Sequence, residues 1–379
     1  MSGGGPLHGV RVIELAGLAP APFGCMVLAD LGADVIRIDR PGDTPMVPND
    51  PLTRGRRMIA VDLKSPDGVD LVLRLVETAD VFVEGYRPGV AERLGLGPEP
   101  CRDRNPRLIY GRMTGWGQSG PLAARAGHDI DYIAVAGALE PIGRAGQRPV
   151  PPLNLVGDFG GGGFLLALGV LAALYERERS GLGQVVDAAM VDGAALLTTF
   201  LHGMKASGGW RGPRGTNLLD GGAPFYDTYE TADARHVAIG ALEPKFYEEL
   251  VRLLELDPTL LPADRMNPAS WPALRAQIAA AVKRRTRDSW AELAAGSDAC
   301  LAPVLTPEEA ASHPHNRARG SFVEVAGVPQ PAPAPRFDRT PAAVPRPPCQ
   351  PAEHTDAVLA ELGLSVEEIA ALRAKSVIA

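Results

Sequence analysis

Residues 10–113 alternate short β-branched apolar runs with segments of helical spacing, a pattern that few architectures satisfy. Val10–Leu15, Val35–Ile38, Met58–Leu63, Val81–Glu84 and Leu108–Met113 read as strands. Ala16–Pro22 reads as a turn-rich loop, and Phe23–Leu31 as a helix stopped by Gly32. A second helix runs from Pro66 to Thr78, with Ser65 at its cap and Pro66 at the first helical position. Strands separated by helices bury both faces of a parallel sheet, so the fold class is α/β. The first strand–helix turn, Gly17-Leu18-Ala19-Pro20-Ala21-Pro22, lacks the Gly-x-Gly-x-x-Gly that cradles a dinucleotide pyrophosphate. Asp39 after the second strand leaves an acidic ribose contact open, but a nicotinamide dehydrogenase is a weak reading. The four glycines at 160–163 lack the Gly-Lys-Ser/Thr of a P-loop.

The pattern changes in the second half. Phe164–Glu178 is a long apolar helix, Val185–Ala189 a strand and Gly193–Lys205 a helix, followed by the glycine-rich stretch Ser207–Gly222. Pro224–Glu230 and His236–Gly240 read as antiparallel strands, and Phe246–Leu256, Trp271–Lys283 and Arg287–Ala295 as helices. A chain of 379 residues can hold two domains with real cores. The expected division is a large α/β domain over 1–200, a linker over 201–216 and a smaller α+β domain over 217–320. Residues 321–379 form a proline-rich connector and a C-terminal segment returning to the large domain, with a capping box from Ser365 to Glu368.

A formal charge of −7 argues against general nucleic-acid binding. The most apolar stretch, Phe164–Tyr175, is too short to span a bilayer and runs into Glu176-Arg177-Glu178-Arg179. The opening Met-Ser-Gly-Gly-Gly-Pro has no signal pattern, and the closing Ser-Val-Ile-Ala is not a peroxisomal address. Cys25, Cys101, Cys300 and Cys349 have neither metal nor redox spacing, so the expectation is reduced thiols in a cytoplasmic protein. His313 and His315 flank Pro314 with no third ligand nearby in sequence, which argues against a metal site.

Chemistry concentrates in two segments thirty residues apart: Ala126-Gly-His-Asp-Ile-Asp-Tyr132, and Val156-Gly-Asp-Phe159 with its glycine run. His128 and Asp158 each sit beside glycine, where backbone can approach a small reacting centre. Asp158 lies just before the long apolar helix, near its N-terminus. Two bases of different type suit removal of a proton from carbon on one face and its return on the other. Taken alone, His128 is most simply a surface or capping residue, and Asp158 and Glu243 helix caps. Between positions 37 and 64, Arg37, Arg40, Arg54, Arg56, Arg57 and Lys64 outnumber Asp39, Asp43, Asp50 and Asp62. That excess reads either as solvated loop charge or as a patch for a phosphate.

The chain resembles the alpha-methylacyl-CoA racemases of the family III CoA-transferase superfamily. The resemblance rests on an ordered series covering nearly the whole length. It includes Val12–Pro20, Leu28–Asp39 with Arg40-Pro41-Gly42, Tyr86–Val90, Thr114–Gly120, Gly127–Ile130, Pro152–Gly163, Leu218–Tyr226, Glu243-Pro244 and Ser297–Leu305. It implies a large Rossmann-like domain and a smaller α+β domain in an interlocked homodimer. It also implies an isomerase that inverts the 2-methyl centre of branched acyl-CoA thioesters. His128 and Asp158 match the two catalytic bases. Glu243 matches a glutamate that orients the histidine, supplied by the partner subunit's small domain. Arg40 and Val61, Asp62, Leu63 and Lys64 match coenzyme A contacts, with Arg87 and Arg93 as further phosphate contacts. Gly127, Asp129, Ile130, Asp131 and Tyr132, with His128, match the segment lining the thioester, and the N–H of Asp129 is the candidate donor to an enolate oxygen. Leu218, Leu219 and Phe225 are candidates for an apolar acyl pocket. No metal or separate cofactor is implied, because the thioester itself acidifies the α-hydrogen.

The family motif usually reads Gly-His-Asp-Ile-Asn-Tyr, and here Asp131 stands in place of the asparagine. An amide donates and accepts, whereas an ionised carboxylate only accepts, so the change bears on local hydrogen bonding and acyl preference. The main rival is a CoA-transferase in which Asp158 is the nucleophile and forms a mixed anhydride with the acyl group. Transferases of the superfamily are expected to lack the histidine and the matching glutamate. A non-catalytic acyl-CoA binding protein is a third reading.

Overall fold

The computed structural model describes residues 4–44 and 47–379; the first three residues of the N-terminal segment read above lie outside that range. Contacts divide the chain into two compact units. The first contains the chain to Ala136, Leu153–Leu197 and Arg317–Ala379; the second contains Gly137–Pro152 and Thr198–Asn316. Residues 137–152, expected in the large domain, thus cluster with the second unit, as do residues 201–216, expected to be a linker.

In the first unit six strands form one parallel sheet: β1 (Arg11–Leu15), β2 (Asp34–Asp39), β3 (Arg56–Ala60), β4 (Val81–Glu84), β5 (Ile109–Thr114) and β6 (Val185–Ala189), in the order β3-β2-β1-β4-β5-β6. This is the doubly wound order, whose crevice lies where the strand order reverses, between β1 and β4. The helices are α1 (Pro20–Asp30), α2 (Pro66–Glu77), α3 (Val90–Arg93), α4 (Pro98–Arg104), α5 (Asp129–Val135), α6 (Phe164–Ser180) and α7 (Met190–Leu197). Period-two alternation splits the strands between two cores. Ile13, Leu15, Ile36, Ile38 and Ile59 face α2 residues such as Leu71 and Leu75. Val12, Val35, Val81, Val83 and Ile109 face α1 and α6 through Leu28, Leu166 and Val170.

Helix α1 begins three residues earlier than the sequence indicated, with Pro20 at its first position. Prolines in a first turn lose no intrahelical hydrogen bond, so Pro20 and Pro22 lie in the first turn of a helix where they were read as part of the preceding loop. Ser65 occupies the cap position of α2, but its side chain makes no capping bond. The expected helix Gly193–Lys205 is two helices, α7 and α8 (Thr199–Ala206), parted at Thr198, where the two units also divide.

Leu155–Gly163 is π-helical and runs directly into α6. Its glycines explain how it fits. A Cβ on Gly161 would stand 2.6 Å from the N of Ala194 on α7, and one on Gly163 2.6 Å from the O of Pro20 on α1. The four-glycine run therefore lets one helical stretch pass between two others at backbone contact. Joined, Leu155–Ser180 spans 26 residues and contains an 18-residue window of mean hydropathy 1.7, long and apolar enough to cross a bilayer by length and composition. This corrects the estimate drawn from Phe164–Tyr175, which did not include the π segment. Leu166, Ala167, Val170 and Ala173 of this stretch are buried in the core beside the sheet, while Phe164, Leu168 and Tyr175 are exposed.

The second unit has an antiparallel sheet, β7 (Tyr226–Glu230), β8 (His236–Gly240) and β9 (Leu301–Pro303), with β8 in the middle. The third strand was not legible in the sequence. Helices α9 (Pro244–Leu253), α10 (Trp271–Val282) and α11 (Arg287–Ala294) complete its core around Phe225, Leu250, Leu274 and Trp290. Phe225 is fully buried against Tyr247 and Trp271, so it is a core residue and its acyl-pocket reading is withdrawn.

Beyond β9 come α12 (Pro307–Ser312), α13 (Pro314–Arg319), the hairpin β10 (Phe322–Val325) and β11 (Val328–Pro331), then α14 (Thr355–Glu361) and α15 (Val366–Ala374). Ser365 and Glu368 form the expected capping box. The C-terminus extends the first unit's core: Val61 bridges Ile378, and Val358, Leu359, Ile369 and Val377 are buried with the β-strand isoleucines.

Candidate active site

The carboxyl ends of the sheet carry most of the residues singled out above. Arg40 follows β2, Val61–Lys64 follow β3, Arg87 follows β4 and Arg93 closes α3. Four of the six basic residues between 37 and 64 serve the fold. Arg56, 1% exposed, pairs with the fully buried Glu14 at 2.5 Å. Arg54 pairs with Asp30, Arg57 with Asp34 and Glu361, and Arg37 with Glu14 and Asp39. Arg40 and Lys64 remain exposed, and among the described residues no carboxylate pairs with either. The excess is thus mostly internal ion pairing, with two cations outside the internal pairs. Val61 and Leu63 point into the core, so among the expected coenzyme A contacts their side chains are withdrawn from solvent.

The histidine segment follows β5. Thr114 Oγ1 accepts the N–H of Gly117 at 3.0 Å, turning the chain out of the sheet. Trp116 meets Tyr132 edge to face with centroids 4.8 Å apart. Together these rings cover Gly127, where a Cβ would lie 2.6 Å from Tyr132 and 3.1 Å from Trp116. His128 is exposed and takes the N-cap position of α5, in extended backbone. The carbonyl of Gly127 accepts the Tyr132 hydroxyl, and the N–H of His128 donates to the Asp131 carboxylate at 2.9 Å. The single peptide unit leading into His128 is therefore held at both ends. Asp131 accepts the His128 N–H through its carboxylate, a role for which an amide oxygen would also serve. Ile130 is 44% exposed beside it, on the first turn of α5.

Asp158 lies within the π-helical stretch, not ahead of the helix as the sequence indicated. Nor is it a cap: Asn154 holds that position, and its side-chain amide donates to Asp158 Oδ2 at 3.1 Å. Partial burial pushes the Asp158 carboxyl above the usual carboxylate range, helped by the negative charge of Asp129 and opposed by Asn154 and His128. The Asp129 carboxylate joins the two segments. Its Oδ2 accepts the N–H of Gly157 and that of Asp158, both at 2.7 Å, while its Oδ1 is buried and has no partner among the described residues. His128, Asp129, Tyr132 and Asp158 thus form one constellation. Asn154, Trp116 and the Asp129 side chain were missed in the sequence. Only Asn154 left a signal, four residues before Asp158 at helical spacing.

Glu243 belongs to the second unit. It is exposed at the N-cap position of α9 without making a side-chain cap, so the capping reading does not hold. Among the described residues no group of three or more His, Cys, Asp or Glu is arranged to hold a metal ion.

The chain belongs to CoA-transferase family III, whose sequence model matches residues 7–355. It is 50% identical over 375 residues to alpha-methylacyl-CoA racemase of Mus musculus, covering 98% of this chain and 97% of that protein. Identity to alpha-methylacyl-CoA racemase of Homo sapiens is 48% over 376 residues, with the same coverages. The fold matches the crystal structure of a CAIB/BAIF family protein from Brucella suis with a TM-score of 0.82 and 28% identity, over 95% of this chain and all (100%) of that one.

Proposed function

We propose that this protein is an isomerase that inverts the 2-methyl centre of branched acyl-CoA thioesters by 1,1-proton transfer. The observation that carries the reading is an imidazole and a carboxyl with a raised proton affinity in one constellation, in a chain about half identical to two racemases. Neutral His128 removes the α-proton from one face. The electron pair moves into the thioester to give an enolate, and protonated Asp158 delivers its proton to the opposite face. The reverse direction exchanges the roles. The N–H of Asp129, in the first turn of α5, has no intrahelical acceptor and serves as donor to the enolate oxygen, a contribution of ~3 kcal/mol. Burial that raises the carboxyl's proton affinity supports its role as the acid in this direction.

Arg40 and Lys64 bind coenzyme A phosphates, with Arg87 and Arg93 contributing. Glu243 of the partner subunit orients His128 in an interlocked homodimer. Exposed Leu153, Leu155, Phe164 and Leu168 provide apolar surface for that association. The reaction needs no cofactor, since the thioester supplies the acidity. The four cysteines are free thiols, consistent with a cytoplasmic enzyme.

The test is incubation of 2-methylacyl-CoA thioesters in heavy water with chiral analysis. Epimerisation with α-deuterium incorporation, lost in His128→Ala and Asp158→Ala, is the expected result. Transfer of label from a free carboxylic acid into acyl-CoA would favour the transferase instead, and tight binding without exchange a binding protein.

A further inference from the structure

We propose that Asp129 is a positioning residue that fixes Asp158 relative to His128, its main chain continuing from the histidine while its carboxylate clamps the backbone of the aspartate. The inference deepens the two-base reading and rests on it. The clamp is built of two hydrogen bonds of 2.7 Å, from the N–H groups of Gly157 and Asp158 to one oxygen, Oδ2. Both groups are in the first turn of the π-helical stretch, where backbone N–H groups have no acceptor within the helix. The approach depends on Gly157, where a Cβ would stand 2.5 Å from that same oxygen.

Asp129 is 6% exposed and its second oxygen has no partner among the described residues. A buried, half-satisfied carboxylate costs stability. A neutral capping residue would cost less, so the charge itself has a use. It lies close enough to Asp158 to raise that group's proton affinity. The clamp thereby sets both where the second base stands and how firmly it holds its proton.

The groups acting on the Asp158 carboxyl are Asn154, Asp129 and His128, and Tyr132 also senses it. Other ionisable side chains on the surrounding elements are Cys25 and Asp30 of α1, Tyr110 and Arg112 of β5, Asp131 of α5, Tyr175, Glu176, Arg177, Glu178 and Arg179 in the last turns of α6, Asp187 of β6 and Asp192 of α7.

Three variants separate the two effects. Asp129→Asn keeps an acceptor for both N–H groups and removes the charge. Asp129→Ala removes both. Gly157→Ala keeps the charge and displaces the clamp. Each is measured by α-deuterium exchange and by pH titration of the Asp158 carboxyl carbon in 13C-labelled protein, assigned with Asp158→Asn. Exchange is expected to fall ~10²-fold in Asp129→Ala and Gly157→Ala, as for misplacement of a reacting group. Asp129→Asn should recover at least tenfold of the Asp129→Ala loss. The Asp158 carboxyl should titrate at lower pH in both Asp129 variants and less so in Gly157→Ala. Exchange at the parental rate in Asp129→Ala, or an Asp158 titration identical in all proteins, overturns the proposal. A parent that exchanges nothing would sink the racemase reading alone, because the carboxyl titration needs no turnover and still decides whether Asp129 acts on Asp158. If Asp129→Ala does not fold, the other two variants carry the same comparison.

Discussion

Asp131 accepts the backbone N–H of His128 at 2.9 Å, three residues back along the first turn of α5. The carbonyl end of the same peptide unit accepts the Tyr132 hydroxyl. The residue that departs from the usual family motif is thus part of the frame that aims the imidazole. Asp131→Asn retains the acceptor, and its thermal unfolding should stay within ~0.5 kcal/mol of the parent. Asp131→Ala leaves the N–H without its partner and should cost ~1 kcal/mol, the usual value of a lost cap, together with slower α-exchange. Equal melting and equal exchange in both variants would remove Asp131 from that role.

The raised proton affinity of Asp158 makes stability depend on pH with a definite sign. The folded state holds this proton more tightly than the unfolded chain, so its contribution is fully present below the ordinary carboxylate range. It is lost as pH rises through the elevated folded value. Asp158→Asn should therefore unfold at higher denaturant than the parent at neutral pH, with the gap closing as pH falls toward 3.8, the ordinary value for an aspartate. Denaturant midpoints across that range measure it, and a gap that widens on acidification would contradict the assignment.

Arg56 and Glu14 form the most enclosed ion pair described in the first unit, with both side chains at 0% exposure. Removing one partner strands a charge in the core. Arg56→Met should cost about 3–5 kcal/mol by urea unfolding, while Glu14→Leu with Arg56→Met should recover much of that loss. A single variant as stable as the parent would mean that the pair contributes little.

Arg40 and Lys64 are the cations left over once the internal pairs are formed. Arg40→Met should raise KM for an acyl-CoA thioester about tenfold with kcat near the parent, the pattern of a contact equal in ground and transition states. The effect should shrink as salt rises. A loss confined to kcat would place Arg40 in the chemistry and not in coenzyme binding.

Strands β1 to β8 were legible because β-branched runs such as Val35–Ile38 declare themselves locally, and β6 and β8 coincide with the expected limits, whereas β9 and the hairpin β10–β11 were not read. Helix starts were less so. Pro20 and Pro22 carry the same letters whether they break a helix or open one, and only the neighbouring turn decides. The two proposed bases were singled out from glycine-flanked motifs and a family resemblance. The roles of Asp129 and Asn154 could not be, because each is defined by a partner's backbone or side chain rather than by its own surroundings in the chain.

The sequence alone determined the α/β class, the family and which side chains are candidates for the chemistry, since these depend on local periodicity and on short ordered motifs. Tertiary structure alone decided which arginines are spent inside the fold, how the glycine run threads between α1 and α7, and that a carboxylate at 129 grips N–H groups 28 and 29 residues away. Those outcomes depend on which distant groups meet and how much water they lose in meeting, and neither quantity is carried by neighbouring letters of the chain.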